Sequence, residues 1–497
     1  MKLRAFSLGI LLSILLGIAA CGEGPGPANT VVATSFKQTA PPADDTVTGR
    51  ILRLMQFYED SEQFSGTILV AQDGKIVYED AFGWANLEWR IPNTIDTKYR
   101  IASITKQFTA VLVMQQVEMG RLRLDGTVSD YLPDYPERNG ARINIHHLLS
   151  HTAGIVSFED LIYYLSLGGT ARVGDFTFQV TDDERVPDYF SIGRLSHTRK
   201  DLLGHFADKD LLFSPGSQSR YSQFGFTLLA VILEQVTGQS YQQILQEGIL
   251  DPAGMKNTGI DDNSSILERR ASGYLLKPLV GPENTFVDMS LFLGGGDLYS
   301  TVEDLYLFDE ALHTGQLLSD DSLDRMIRSG WLGGPIEFPY ENGPLDALGG
   351  SGAISIGGFN SNVRRLTGGR GVQFIAILSN YNNPEGVQLG PVYSETVARQ
   401  IAAIINGLEH ESPTLSAASV VGRAVLESGG DVASTTMADL VENASSMHRF
   451  EVDEFLFVAN HLAGLGKHDE ACQFLKSCVG HLPETPEVRQ KLTEYCQ

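Results

Sequence analysis

A serine and a lysine three positions apart, Ser103 and Lys106, open the run Ser103-Ile-Thr-Lys-Gln-Phe-Thr-Ala110. Apolar residues follow at helical spacing: Phe108, Val111, Leu112 and Met114. On a helix, positions i and i+3 share a face, so this hydroxyl and this amine meet at the start of the helix. A serine hydroxyl is a weak nucleophile near neutral pH and needs an adjacent base. A lysine amine serves as that base only where burial or a second cation disfavours its charged form. The apolar residues around the pair predict burial. The chemistry implied is attack of a serine oxygen on a carbonyl carbon. Taken alone the spacing is a weak signal, because a surface serine and a solvated lysine give the same pattern.

Two other groups of residues invite chemistry. His146, His147 and His151 fall within six positions. A metal site needs further ligands at fitting geometry and none stands nearby, so a turn at a helix end is expected, with no metal and no cofactor. Of four cysteines, Cys21 stands alone, while Cys472, Cys478 and Cys496 lie in the tail without zinc-site spacing. In an oxidising compartment the tail set predicts one disulfide and one free thiol, with pairing that spacing does not give.

The elements that must position the serine and lysine come from a chain of 497 residues, 42% hydrophobic and 20% charged. This is the composition of a folded body. A formal charge of −24 argues against nucleic acid and against a polybasic membrane contact. Residues 1–20 read as a targeting segment, with Lys2 and Arg4 ahead of an apolar run, Ala5 to Ile18, too short for a comfortable membrane span. Ile18-Ala-Ala-Cys21 resembles a bacterial lipobox, which implies a lipid on Cys21 and a periplasmic protein held to the membrane. Gly22 after the cysteine favours the outer membrane by the same resemblance. An ordinary signal peptide or a short anchor helix is the alternative. Residues 21–45, rich in Gly, Pro, Ala and Thr, read as a flexible tether.

Residues 46–408 form the expected main domain. A helix is expected from Val47 to Tyr58, then a hairpin turning at Asp73-Gly74. A short helix is expected within 119–135. Residues 156–213 are weakly patterned and suit a lid or binding loop. Helices are expected over 226–236, 241–249 and 302–312. Strands follow over 351–358, 360–366 and 371–380, with a closing helix over 392–405. The order predicts an α+β fold, an antiparallel sheet flanked by helices plus a helical subdomain. Residues 409–497 form a separate helical region. Its pair of helices from Phe450 resembles one tetratricopeptide-type unit, with Leu462, Gly464, Gly466, His468, Ala471 and Phe474 where such a unit places small and packing residues. A single unit cannot build a solenoid, so it packs on the main domain or meets a protein partner.

Several motifs in order resemble the serine β-lactamase-like family, which includes class C β-lactamases, DD-peptidases and related esterases. Ser103-Ile-Thr-Lys106 resembles its nucleophile motif. Leu149-Ser-His-Thr-Ala-Gly-Ile155 resembles a His-Thr-Ser-Gly turn, with Ala153 in place of serine. Tyr221-Ser222-Gln223, after Pro215-Gly216, resembles the Tyr-x-Asn motif. Gly294-Gly-Gly296 with Tyr299-Ser-Thr301 resembles another shared segment, and Gly350-Ser351-Gly352 occupies the place of a Lys-Thr-Gly or His-x-Gly motif. The resemblance implies a small-molecule or peptide substrate and an acyl-Ser103 intermediate. It implies proton transfer shared by Lys106 and Tyr221, and an oxyanion hole from the N–H groups of Ser103 and Ala353. Two departures stand out. Gln223 replaces an asparagine, setting the amide one methylene further out. Gly350 replaces a cation that in the family holds the substrate carboxylate and supports the proton network. Poor hydrolysis of penicillins and cephalosporins is therefore expected. The alternative is a weakened member that binds a cell-envelope peptide or protein.

Overall fold

Ile68-Leu-Val-Ala71 and Phe374-Ile-Ala-Ile-Leu378 are apolar at consecutive positions, the pattern of strands buried on both faces. The computed structural model describes residues 44–496 apart from 157–169, 174–175, 180–192, 334–335, 339–344, 355–356, 383–392 and positions 278, 280, 369, 446 and 484. It pairs the two runs antiparallel in the interior of the principal sheet. The elements that position the site are α1 (Val47–Asp60), β1 (Gly66–Gln72), β2 (Lys75–Phe82), α2 (Thr105–Glu118), α3 (Gln223–Thr237), α4 (Val302–His313), β3 (Ile336–Phe338), β4 (Leu345–Leu348), β5 (Ser351–Ile354), β6 (Phe359–Thr367), β7 (Gln373–Ser379) and α5 (Ser394–Asn406). The strands run in the order β3-β4-β6-β7-β1-β2, and β5 pairs with the first part of β6. All these pairs are antiparallel. The hairpin between β1 and β2 turns on Asp73 and Gly74, both at positive φ, a conformation that Asp-Gly accepts readily.

Alternation along β1 and β7 divides the core. Ile68, Val70, Ile375 and Ile377 pack with Ile51 and Met55 of α1 and Val397 and Ile401 of α5. Leu69, Ala71, Phe374 and Ala376 belong to the larger core with α2, α3 and α4. There Phe108 of α2 stacks on Phe308 of α4, ring centroids 4.0 Å apart. Helix α2 is buried at every position from Thr105 to Gln116. A helix enclosed on all sides must satisfy its polar side chains internally. Thr109 accordingly bonds the Gly294 carbonyl, and Gln115 donates to the carbonyls of Gly248 and Leu317. Enclosure on all sides fixes the N-terminal end of α2, where Ser103 and Lys106 lie.

Some expectations change. The helix expected over 241–249 is α-helical only over Tyr241–Leu245 and widens to a π turn over Gln246–Leu250. The widened turn carries Gly248 hard against α2, where a Cβ would lie 2.8 Å from Leu112 and from Gln115. The first strand of the C-terminal group is shorter than expected, ending at Ile354. The targeting segment, Cys21 and the tether through residue 43 lie outside the described residues. So does most of the weakly patterned stretch, apart from a short hairpin, Thr170–Val173 with Phe176–Gln179, and the segment from 193 onward that contains the helix Arg199–Gly204.

The C-terminal region contains the helices Ala417–Ser428, Gly430–Asn443, Val452–Gly464, His468–Cys478 and Pro486–Tyr495. They share their own core, built around Val421, Met437, Phe455 and Phe474, and Leu279 of the main domain packs against it. The two-helix unit anticipated from Phe450 therefore buries its apolar residues against neighbouring helices. Cys472 is bonded to Cys496, and Cys478 is free and buried. This is the pairing that spacing left open.

Candidate active site

The chain enters α2 through a 3-10 turn, Ala102–Ile104, a geometry in which residues three apart eclipse. Ala102 is buried with φ at 50°. The left-handed region costs a non-glycine residue roughly 1–2 kcal/mol, and such strain persists only where the surroundings over-determine it. Arg100, just upstream, is locked to Asp261 at 2.6 Å inside the protein. The Ile101 N–H donates to Leu298, and the Ile101 carbonyl accepts from Ser361 Oγ at 2.8 Å. These bonds hold the turn that presents Ser103.

Lys106 is only 6% exposed. A charged amine offers three N–H donors, and Lys106 has three acceptors. They are Ser103 Oγ at 3.1 Å, Gln223 Oε1 at 2.6 Å and the Gly295 carbonyl at 2.6 Å. The rings of Tyr221 and Phe226 lie 4.9 and 5.6 Å from its nitrogen. Among the described residues no carboxylate belongs to this set. Tyr221 stands one residue before Ser222, the N-cap of α3, and its hydroxyl is 2.6 Å from Ser103 Oγ. Gln223 thus reaches the lysine despite its extra methylene. The room comes from Gly295, where a Cβ would lie 2.2 Å from Gln223 Nε2. The glycine run serves the site twice, with space for the longer amide and a carbonyl for the lysine.

His151 supports Tyr221. Its ring lies 4.6 Å from the Tyr221 ring and 5.3 Å from that of Phe226. Its Nδ1 accepts from the Ser222 N–H at 3.2 Å, and its carbonyl accepts from the Arg220 N–H. Burial, and then the Lys106 charge, push this imidazole down to about 4. It is therefore neutral at pH 7, with Nδ1 as acceptor. The sequence placed His151 in a motif-like turn and Tyr221 in a separate motif, and nothing in local spacing joined the two. The other two histidines go elsewhere: His146 packs on Trp331, and His147 Nδ1 accepts from the Asn144 N–H. No group of metal-ligating side chains occurs among the described residues.

Strand β5 forms the opposite wall. A Cβ on Gly352 would lie 2.8 Å from the Ser103 nitrogen and 2.4 Å from the Ile101 oxygen, so the strand passes directly against the Ser103 N–H. Ala353 follows, exposed on this strand. Gly350 looks toward α2, where its Cβ would stand 3.0 Å from Gln107 Nε2. Ser351 is exposed, and its Oγ accepts from Asn362 Nδ2 at 2.8 Å. Behind Lys106 lies Asp297, fully buried, whose Oδ1 accepts from the Gly294 N–H at 3.1 Å. Burial raises this carboxyl to about 7. The structure thus brings Ser103, Lys106, Tyr221 and Gln223 into one hydrogen-bonded group, and runs Gly350 to Ala353 along its flank. The arrangement can generate a serine nucleophile and receive its proton.

The beta-lactamase family profile matches residues 53–388. Over 288 residues the chain is 32% identical to the serine beta-lactamase-like protein LACTB, mitochondrial, of Homo sapiens, a match covering 50% of this chain and 52% of that protein. It is 33% identical over 195 residues to esterase EstB of Burkholderia gladioli, covering 38% and 45% respectively. The chain spans about half the length of these curated relatives. The D-amino acid amidase from Ochrobactrum anthropi SV3, complexed with L-phenylalanine amide, aligns with a TM-score of 0.57. That match covers 73% of this chain and 99% of the amidase at 20% identity, a likeness of fold.

Proposed function

The chain belongs to the beta-lactamase family, and from that premise we propose that it is a serine hydrolase cleaving an ester or amide carbonyl through acyl-Ser103. One observation carries the reading: Ser103 Oγ lies 2.6 Å from the Tyr221 hydroxyl and 3.1 Å from Lys106 Nζ. In the proposed reaction Ser103 Oγ bonds to the carbonyl carbon as its proton passes to the Tyr221–Lys106 pair. The N–H groups of Ser103 and Ala353 hold the tetrahedral oxyanion. Collapse breaks the C–O or C–N bond, and the leaving group takes the proton. Water then attacks the acyl-enzyme by the same route and releases the acid.

The names of an esterase and an amidase among its relatives favour esters and peptide-like amides. Gly350 argues against efficient β-lactam hydrolysis, because no side chain there can bridge toward the proton network. The test is covalent labelling of the purified protein by a fluorophosphonate or a fluorescent penicillin. Labelling is expected and is lost in Ser103→Ala; a well-folded protein that takes up neither probe overturns the reading. Nitrocefin turnover at the rate of a dedicated β-lactamase would overturn the substrate preference. A second reading, a weakened member that binds an envelope peptide or protein, rests on Gly350 alone.

Anchoring by a lipid on Cys21 is part of the same proposal, supported by the apolar run before that cysteine. Expressed in a bacterium, the protein is expected to incorporate labelled palmitate. Label retained in Cys21→Ser removes the anchor from the proposal.

A further inference from the structure

Large apolar side chains stand exposed on and beside one short hairpin, far from any role in the Ser103 network. Trp84–Asn86 pairs antiparallel with Ile91–Pro92. Trp89, in the turn between them, is 82% exposed, with Ile91 at 53%, Ile95 at 44% and Trp84 at 39%. Phe286, 55% exposed, stands two residues after Asn284, whose Nδ2 donates to Glu88 Oε1 beside the same turn. One exposed apolar residue needs no explanation, whereas several large ones together mark an interaction surface. The hairpin is firmly held. The Leu87 N–H donates to the Tyr274 hydroxyl at 2.7 Å, the Trp89 N–H to Asn86 Oδ1 at 2.7 Å, and Asn93 Nδ2 to the Phe82 carbonyl at 2.8 Å. Its backbone thus presents Trp89 outward in a fixed place.

The residue types select what meets it. Tryptophan, with an apolar ring and one N–H donor, favours the boundary between acyl chains and headgroups. The chain has three tryptophans and two are on this hairpin; the third, Trp331, is buried and donates to Ser150 Oγ. The charges at the turn suit the same boundary. Arg90 is exposed next to Trp89, on a stem long enough to keep its guanidinium among headgroups. The Glu88 carboxylate is drawn back onto Tyr274 and Asn284. At these fractions the five apolar side chains expose roughly 600 Å², less than the ~800 Å² that each partner of a stable protein complex buries. A bilayer sets no such minimum, because binding scales with the apolar area inserted.

We propose that this hairpin docks on a lipid surface, with Trp89 and Ile91 inserted at the boundary between headgroups and acyl chains. The inference deepens the anchoring proposed at Cys21 and rests on it for strength. A flexible tether over residues 22–46 would hold the membrane at a high effective concentration, so a weak contact suffices. An apolar contact also needs none of the basic surface that a formal charge of −24 argues against. Phe286 adjoins Val287, which packs with Ala102, so the docking face borders the turn that presents Ser103.

The test is tryptophan fluorescence of the full chain reconstituted in phosphatidylcholine vesicles, with and without brominated acyl chains. Residues 1–43 contain no tryptophan, so the signal reports the hairpin and not the anchor. Emission is expected to shift to the blue and to be quenched by the brominated lipid, and raising the salt concentration is expected to leave both unchanged. Trp89→Phe removes the reporter and Ile91→Asp sets a charge against the acyl chains, so each is expected to lose most of the quenching. Both positions are exposed, so neither variant disturbs the core. Quenching that is absent from the wild type, is retained in either variant or is abolished by salt overturns the proposal. A blue shift that appears without lipid and grows with protein concentration assigns the hairpin to a second copy, and also overturns it. Palmitate incorporation without quenching keeps the anchor and removes the docking. Quenching that persists in Cys21→Ser supports the docking without the lipid.

Discussion

On the helix wall of the cleft, function sits in side chains. Ser103, Lys106, Tyr221 and Gln223 each touch another member of the group, and Lys106 has an acceptor for every donor. On the strand wall, from Gly350 to Ala353, the backbone does the approaching, and the single hydroxyl, Ser351 Oγ, accepts from Arg364 on the adjacent strand. The first wall is a closed network centred on buried Lys106, and removing Gln223 or Lys106 leaves a buried polar group short of a partner. The second is open, and its parts can change with less damage to the rest. The contrast suggests why the two diverge from the family pattern differently. Gln223 reaches Lys106 because Gly295 leaves room for its extra methylene, whereas Gly350 presents no side chain at all.

The closed wall is broken most severely at its centre. Lys106→Met is expected to lower the acylation rate by about 10²–10⁴-fold, the range for losing a group positioned in the proton transfer. Stopped-flow labelling with a fluorophosphonate reads it, and a change of less than tenfold would remove Lys106 from the proton path. Next in size is Gly295→Ala. The new methyl group collides with Gln223 Nε2 and displaces the amide from the lysine. A misplacement of about 1 Å can cost on the order of 10²-fold in kcat. Shortening the amide should relieve the collision, so Gly295→Ala with Gln223→Asn is expected to outperform Gly295→Ala alone. Simple additivity in that double-mutant cycle would show that the two positions are uncoupled.

How much of this was legible in the sequence follows the same division. Ser103 and Lys106 are close in the chain, so helical spacing alone anticipates their meeting. The α+β fold was legible from the order of elements: a hairpin turning at Asp73-Gly74, central helices, then strands over 351–380 and a closing helix. Contacts that depend on long-range register were not. The Gly295 carbonyl reaches Lys106 across a loop that no local pattern connects to α2. The left-handed Ala102 is imposed by Arg100, Asp261 and Ser361, and nothing about an alanine announces it. His151 reads as part of a turn until α3 is packed beside it. The Cys472–Cys496 bond likewise awaits the packing of the last two helices.

A smaller effect separates the two buried titratable groups behind and beside the helix wall. His151 is held at about 4, below the unfolded imidazole at 6.5. Between those values the unfolded chain binds more protons, so this group makes stability rise with pH. Asp297 is held at about 7, above an unfolded 3.8. Here the folded chain binds more protons, so stability falls as pH rises through that window. From about pH 4 to 6.5 the two slopes oppose each other, and the pair contributes little net pH dependence. Asp297→Asn preserves the shape and the acceptor for Gly294 while removing one slope. The variant is expected to gain little over wild type near pH 4 and to gain progressively up to pH 7. Its own stability should climb between pH 4 and 6.5 by up to about 3 kcal/mol, the unmasked share of His151. Urea midpoints at pH 4.5, 6 and 8 decide it. Parallel profiles for the two proteins would mean that Asp297 is ionised in the fold, and that the ground beneath Lys106 is more polar than its burial implies.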